Sequence, residues 1–220
     1  MKNKIFTTIF VVALFILILT FAIGLPIYCR FFYYMQIESL RIPEMSGYSV
    51  SVIKGAYKAV LDYLTLPWAE FSTGALKYSA DGKAHFEDCK RLFNLNASAF
   101  IFSTIVLIVI YILSRKEKIG LNKIWGFNPA FLSAVLALGL PLILGGLVAI
   151  NFDKAFTIFH KIFFPGKDNW MFDYTQDQII NILPQEFFLS CAILIGVCLT
   201  VCSVGIIVYC AIQKVKQKNN

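Results

Sequence analysis

The fold is decided by an uncharged stretch near the start of the chain, Ile5–Tyr28, which reads IFTTIFVVALFILILTFAIGLPIY. A helix needs about 20 apolar residues to cross a hydrocarbon core about 30 Å thick, and this stretch is long enough. Three further stretches contain no charged residue: Ala97–Ser114, Ala130–Ile150 and Phe187–Ile212. Because backbone groups in lipid must find their hydrogen-bond partners within the segment, the four stretches predict four transmembrane helices.

The composition of the whole chain agrees with a membrane location. Of its 220 residues, 58% are hydrophobic and 15% are charged. Soluble domains average about 45–50% apolar and about 25% charged residues. The composition therefore excludes a disordered chain, a fibrous repeat and an ordinary soluble enzyme. We expect residues 1–220 to form a single integral membrane domain.

The first stretch has a second interpretation, a cleaved signal peptide. Its apolar run is longer than the 7–15 residues typical of a signal peptide's hydrophobic region. The only small-x-small site, Ala22-Ile23-Gly24, is followed directly by Leu25-Pro26. We therefore expect this segment to be retained as a membrane span.

The distribution of basic residues predicts the orientation of the spans. Residues 1–4, the loop 115–129 and the tail 213–220 together hold nine Lys or Arg and one acidic residue. The loops 29–96 and 151–186 hold eleven basic and twelve acidic residues. The positive-inside rule then places both termini and the loop 115–129 in the cytoplasm. The formal charge of +7 is thus a topology signal, and we expect no nucleic-acid partner.

The two outer loops, 29–96 and 151–186, are unusually aromatic. They hold 20 of the 34 aromatic residues, which favours a small packed cap outside the membrane. Apolar residues at helical spacing predict three helices in these loops, at Gly47–Leu66, Ala84–Leu95 and Phe152–Phe164. The fold class expected is an all-α membrane protein with four transmembrane helices and a small extracytoplasmic cap, mostly helical and rich in aromatic residues.

Several kinds of catalytic chemistry have no motif in this sequence. It contains no G-x-S-x-G elbow, no Walker loop, no G-x-G-x-x-G run, no H-x-x-x-H pair and no C-x-x-C pair. The four cysteines of the last span are interpreted as small packing residues, and we expect no disulfide between Cys29 and Cys89. We therefore expect no metal site and no cofactor.

The chain has two histidines, His85 and His160, and both fall in the outer loops. A single histidine at a surface or in a core is usually unremarkable, but an imidazole that is neutral near pH 7 can give or take a proton. Asp88 lies three residues after His85 on the same helical face. Of the acidic residues after His160, Asp173 is the one that we expect to orient an imidazole. Arg30, which directly follows the first span, is either an interfacial anchor or a clamp for a lipid carbonyl or phosphate.

Two local patterns resemble a known family. One is the run Phe159-His160-Lys161-Ile162-Phe163-Phe164-Pro165-Gly166, followed by Asn169-Trp170-Met171-Phe172-Asp173, Asp177 and Leu183-Pro184; the other is His85-Phe86 with Asp88 and Lys90. With the span count and loop sizes, these patterns resemble the lipoprotein intramolecular transacylase family of four-span bacterial membrane proteins.

The resemblance implies a reaction, a substrate and a site. The enzyme would move the sn-2 acyl chain of a diacylglyceryl lipoprotein to the α-amino group of its N-terminal cysteine, giving a lyso-form lipoprotein. His85 and His160 would be catalytic, without a metal, a cofactor or an acyl-enzyme. Arg30, Asp88, Trp170 and Asp173 would bind substrate or support the histidines. The protein would act as a monomer, in contact with membrane lipid, at the outer face of the bacterial cytoplasmic membrane.

Two other functions remain open at this stage. The same histidines would serve an intermolecular phospholipid acyltransferase or hydrolase, in which the acyl donor is a separate lipid. The chain would alternatively be a non-enzymatic accessory or sensor subunit, for which both histidines are expendable.

Overall fold

The computed structural model describes residues 2–219, without the side chains at positions 2, 140–142, 144–150 and 218–219. Within these residues the chain is helical, and its only strand-like pairing is an isolated β-bridge between Ile124 and Phe127. The helices are α1 (Lys2–Tyr28), α2 (Arg30–Tyr34), α3 (Gln36–Ser39), α4 (Ile42–Ser46), α5 (Val50–Thr65), α6 (Ala80–Arg115), α7 (Pro129–Ile150), α8 (Phe152–Phe163), a 3-10 helix (Gln178–Ile182) and α9 (Gln185–Asn219).

Three helices in the described part of the chain are long and apolar enough to cross a membrane. These segments are Asn3–Tyr28 in α1, Ala80–Arg115 in α6 and Gln185–Gln217 in α9, and they contain the first, second and fourth predicted spans. The third predicted span, 130–150, coincides with the backbone helix α7. Most of its side chains beyond Gly139 lie outside the described residues, and the fully described part, Pro129–Gly139, is a shorter apolar helix.

Helix α6 differs from the sequence-based expectation in one respect. Residues 84–95 are helical as predicted, but they do not form a separate short helix, because α6 continues through the apolar stretch to Arg115. No Pro or Gly occurs between Lys83 and Arg115, so nothing in the sequence interrupts the backbone hydrogen bonds. The charged N-terminal part of α6, which carries His85, therefore continues directly into the uncharged stretch.

The chain divides into two compact units. The first unit comprises the residues up to Gly24, Asn96–Gly146 and the residues from Ile195 onward. Its helices approach closely at small side chains: Ala22, Ala134, Ala137 and Ser133 are fully buried. The hydroxyl of Ser133 donates to the carbonyl oxygen of Val11 at 3.1 Å. Small interfacial residues of this kind are typical of helix packing in membranes.

The second unit comprises Leu25–Leu95 and Leu147–Leu194 and contains both histidines. Its core includes the apolar face of α5 that the sequence predicts, with Ile53, Tyr57, Val60, Leu61 and Leu64 buried. The helix starts where the side chain of Ser49 accepts a hydrogen bond from the backbone N–H of Val52.

A buried tyrosine ties distant segments of the second unit together. The ring of Tyr33 stacks on that of Tyr57 with 3.8 Å between the centroids. Its hydroxyl donates to the carbonyl oxygen of Ile182 at 2.6 Å. The α2 segment is thereby fixed both to α5 and to the 3-10 helix.

Helix α8 begins at Phe152 as expected and ends at Phe163, one residue before the expected end. Its first turn is capped by Asn151, whose side chain accepts a hydrogen bond from the N–H of Lys154 at 2.9 Å. The helix ends at Phe163, ahead of Pro165 and of Gly166, which adopts a left-handed φ of +72°. This turn leaves His160 in the last turn of α8.

Candidate active site

His85 lies in the second turn of α6, enclosed by aromatic rings. Only 6% of the residue is exposed. The edges of Phe164 and Phe172 approach its ring with centroid distances of 4.9 and 5.4 Å. The imidazole is therefore surrounded by apolar surface that keeps water away from it.

The hydrogen bonding of His85 leaves one ring nitrogen unpaired. Its Nε2 lies 3.4 Å from Sγ of Cys89, which is one helical turn further along α6. Burial raises the pKa of the Cys89 thiol to about 12, so the sulfur stays protonated near neutral pH. The Nδ1 atom of His85 is buried and has no hydrogen-bond partner among the described residues.

His160 has a defined tautomer. Its Nδ1 lies 2.7 Å from the carbonyl oxygen of Phe156. Because a carbonyl oxygen only accepts, Nδ1 must carry the proton and donate it to this bond. In the neutral ring, Nε2 then holds a free lone pair. The ring packs against Phe156 at 4.1 Å and stacks on Trp170 at 4.7 Å, measured between centroids.

Both imidazoles are held in the neutral form. The pKa of His85 is lowered to about 4, mainly by burial and to a smaller extent by His160 and Lys167, while Asp88 opposes the shift. Burial also lowers the pKa of His160, although its hydrogen bond to Phe156 opposes this. A charged imidazolium is poorly solvated among aromatic rings, so the neutral form dominates at pH 7.

The two histidines form a close pair. Their ring centroids are 5.8 Å apart and the rings are tilted by 32°. The two histidines are 75 positions apart in the chain but belong to the same compact unit. One ring presents an acceptor nitrogen and the other an unpaired buried nitrogen. Two such groups can take a proton from one atom and give a proton to another.

Asp88 is bound to other groups rather than to His85. Both of its carboxylate oxygens accept hydrogen bonds from Nζ of Lys167, at 2.6 and 2.7 Å. Nδ2 of Asn169 donates to one of them at 3.3 Å. Burial would raise the pKa of Asp88, but the hydrogen bonds from Lys167 and Asn169 outweigh burial and hold it below its usual value. The carboxylate therefore stays ionised and anchors the 167–169 loop to α6.

Of the other predicted site residues, Trp170 contacts a histidine, whereas Arg30 and Asp173 form hydrogen bonds with other groups. Trp170 stacks on His160, and its Nε1 donates to the carbonyl oxygen of Lys167 at 2.9 Å. Arg30 forms an ion pair with Asp62. Asp173 lies at the surface, where its carboxylate accepts bonds from Thr175 and Gln176. The structure therefore brings Trp170 and Asp88 to the histidine region but gives Asp173 hydrogen-bond partners other than an imidazole.

Three residues of the site were not selected from the sequence: Cys89, Lys167 and Asn169. The i,i+4 spacing of His85 and Cys89 is a signal that identifies the first of them. Lys167 and Asn169 bind Asp88 across about 80 positions of sequence, and no local pattern indicates such a contact. Within the described part of the chain, no group of three or more His, Cys, Asp or Glu side chains is arranged to hold a metal ion.

The fold and the site together define a helical protein with membrane-length segments that carries a buried, aromatic-enclosed pair of neutral histidines. The chain belongs to the lipoprotein intramolecular transacylase family, because the family model described as "Lipoprotein intramolecular transacylase Lit" matches residues 8–188.

Solved structures show the same fold. The membrane integral lipoprotein intramolecular transacylase Lit from Bacillus cereus is 24% identical and superposes with a TM-score of 0.89, covering 100% of this chain and 99% of that one. A form of the B. cereus protein with a histidine-to-arginine mutation is 25% identical, with a TM-score of 0.80, covering 100% of this chain and 95% of that one.

A sequence relative is known from a different organism. An uncharacterized protein of Aquifex aeolicus (strain VF5) is 31% identical over 120 residues, which make up 54% of this chain and 50% of the relative. The match therefore spans about half the length of that protein.

Proposed function

We propose that this protein is an intramolecular transacylase that converts a diacylglyceryl lipoprotein to the lyso-form. The sn-2 acyl chain would move from its glycerol oxygen to the α-amino group of the N-terminal cysteine. The observation that carries the proposal is the neutral histidine pair, 5.8 Å apart inside an aromatic enclosure, in a chain of this family. Aminolysis of an ester requires a group that accepts the amine proton and a group that supplies a proton to the leaving oxygen.

His160 is the general base in this proposal. The bond from its Nδ1 to the Phe156 carbonyl leaves Nε2 as the acceptor, and its lowered pKa keeps that lone pair available. The proton leaves the amine nitrogen for Nε2 as the carbon–nitrogen bond forms. The stacked Trp170 ring holds the imidazole in this orientation.

His85 acts on the oxygen side of the ester. When the Cys89 thiol donates to Nε2, the ring proton resides on Nδ1, the buried atom with no partner among the described residues. An N–H at that position stabilises the carbonyl oxygen as it becomes an oxyanion. The proton that His160 took from the amine then passes to the leaving glycerol oxygen, so both rings are neutral again at the end of the reaction.

The substrate supplies its own nucleophile. The amine and the ester belong to one molecule, and attack closes a ring of about eight atoms, so the enzyme mainly has to hold them close and oriented. The rings of Phe164, Phe172 and Trp170 form walls that suit this task and exclude the water that would hydrolyse the ester. The proposed mechanism therefore uses no acyl-enzyme, no metal and no cofactor.

The proposed setting is the outer face of the cell membrane. Four spans with both termini in the cytoplasm would place the loops 29–96 and 151–186 outside, where they would form the cap. The charge asymmetry of the loops and the three apolar helices support this arrangement. The protein would act as a monomer on a lipoprotein that shares its membrane.

A crossover experiment tests the proposal. Purified protein is given a mixture of two lipopeptides, one with a deuterated sn-2 chain and a light peptide and the other with the labels exchanged. Mass spectrometry should find each N-acyl lyso-product with its own chain. Products with exchanged chains would indicate an intermolecular acyltransferase instead. No conversion, together with unchanged lipoprotein N-termini in cells lacking the protein, would support an accessory subunit.

A further inference from the structure

Asn169 connects the surroundings of the two histidines. Its Nδ2 donates to the carboxylate of Asp88, which lies one turn after His85 on α6. The next residue in the chain, Trp170, stacks on His160. The side chain of Asn169 is therefore held on one side by the helix that carries His85, while its backbone adjoins the ring that supports His160.

The orientation of the Asn169 amide is fixed by its partner. A carboxylate only accepts hydrogen bonds, so the NH₂ group must face Asp88 and the carbonyl oxygen Oδ1 must face the other way. Oδ1 is buried and has no hydrogen-bond partner among the described residues. Leaving a buried acceptor unpaired is unfavourable, and native structures contain few such atoms.

Two buried polar atoms without a partner lie near Asp88 in the described part of the chain. Three side-chain atoms of this kind occur among the described residues, namely Nδ1 of His85, Oδ1 of Asn169 and Oγ of Ser203. Two of the three thus lie in the Asp88 neighbourhood of the second unit. One of these two is a ring nitrogen already assigned to the ester in the proposed function, which leaves Oδ1 of Asn169 as an acceptor without an assigned donor.

The charges nearby favour a neutral donor over a cation at this position. The carboxylate of Asp88 is already neutralised by Lys167, and Arg91 lies 3.6 Å from its other side. A third cation would be repelled by these two side chains. An uncharged amine, by contrast, has N–H groups that pair with a neutral amide oxygen at little electrostatic cost.

We propose that Oδ1 of Asn169 accepts a hydrogen bond from the α-amino group of the lipoprotein substrate and orients its lone pair toward the ester. This inference rests on the proposed function. A neutral primary amine has two N–H bonds: one proton passes to His160 when the carbon–nitrogen bond forms and the carbon–oxygen bond breaks. The other stays on nitrogen, becomes the N–H of the product amide and remains bonded to Asn169 throughout.

The test compares two substrates on the wild type and on Asn169→Ala. One substrate has the natural primary amine, and the other has an N-methyl amine, whose only N–H is consumed in the reaction. Asn169→Ala should lower kcat/KM for the primary amine about tenfold, the upper range for one lost hydrogen bond. It should leave kcat/KM for the N-methyl substrate nearly unchanged, because that substrate has no second N–H to bind.

A matched control separates this effect from a general disturbance of the fold. Asn181 belongs to the same unit and its side chain donates to the Tyr174 carbonyl at 3.1 Å, so Asn181→Ala should affect neither substrate. If Asn169→Ala does not give a well-folded protein by thermal melting, Asn169→Gln retains the amide but displaces the oxygen, and it should show the same selective loss.

Each other outcome has a distinct meaning. An equal loss with both substrates would show that Asn169 only supports the fold through Asp88 and would overturn the inference. Unchanged activity of a well-folded Asn169→Ala protein would overturn it as well. If the wild type converts neither substrate, the proposed function itself fails, and this result is distinguishable from the other two.

Discussion

The imidazole rings of His85 and His160 lie 5.8 Å apart, centroid to centroid, and they form hydrogen bonds to Cys89 and Phe156 rather than to each other. Each ring therefore keeps one nitrogen for another molecule. The separation suits two groups that act on different atoms of the same ester and amine.

The first prediction concerns the two histidines as a unit. His85→Asn and His160→Asn should each lower turnover of a purified diacylglyceryl lipopeptide by about 10²–10⁴-fold, the usual contribution of general acid–base catalysis. The double variant should lose little more than the worse single variant, because groups that act in one proton transfer are not additive. Near-normal conversion by a well-folded His160→Asn protein would contradict the assignment.

The second prediction concerns stability at acidic pH. The pKa of His85 is lowered from 6.5 to about 4, and that of His160 is also lowered. Above pH 6.5 both rings are mostly neutral in the folded and in the unfolded chain, so their titration does not change the free energy of unfolding. Below pH 6.5 the unfolded chain binds more protons at these histidines than the folded chain does. The free energy of unfolding therefore falls progressively down to about pH 4.

Thermal melting of the detergent-solubilised protein between pH 7 and pH 4.5 measures this effect. The wild type should melt at a lower temperature as the pH falls. The His85→Asn, His160→Asn double variant should show a clearly shallower dependence, because asparagine does not titrate. Identical pH profiles for the two proteins would show that the histidines are not buried in the neutral form.

The third prediction concerns metals and thiols. Activity should survive chelators, since the proposed mechanism uses no metal. It should also survive thiol reagents, because burial raises the pKa of the Cys89 thiol to about 12 and leaves little reactive thiolate. A variant with all six cysteines replaced by Ala or Ser should retain measurable turnover.

Cys89 should account for most of any loss in that variant. Its sulfur contacts His85, so Cys89→Ala should lower turnover about two- to tenfold, within the range for one hydrogen bond, whereas Cys89→Ser keeps a donor and should lose less. Chelator-sensitive activity that a divalent ion restores would show that the histidines act through a metal.

The fourth prediction concerns topology. Single cysteines are introduced into a cysteine-free background at Lys77, Asp168 and Lys118, all of which are exposed. A membrane-impermeant reagent should label the first two positions in intact cells, and Lys118→Cys only after permeabilisation, because the positive-inside rule places that loop in the cytoplasm. Labelling of Lys118→Cys in intact cells would reverse the proposed orientation.

Much of the secondary structure was predictable from the sequence, because the patterns involved are local. Each uncharged stretch lies in a long helix, since hydrocarbon-compatible sequence has no other way to satisfy its backbone. The buried face of α5 follows the helical period of its apolar residues. The continuity of α6, from its charged N-terminal part into the membrane span, was not predictable in the same way. Hydropathy marks where a membrane span ends and not where a helix ends.

The sequence by itself also determined the family and the identity of both histidines, since motif residues and rare residue types are visible without coordinates. Only the tertiary structure decided what surrounds them. The pairing of Lys167 with Asp88, the stacking of Trp170 on His160 and the free oxygen of Asn169 all depend on contacts between residues distant in the chain or on a turn that no periodicity encodes. Burial and partner choice set the protonation of each imidazole, and both are properties of packed side chains in three dimensions rather than of their order.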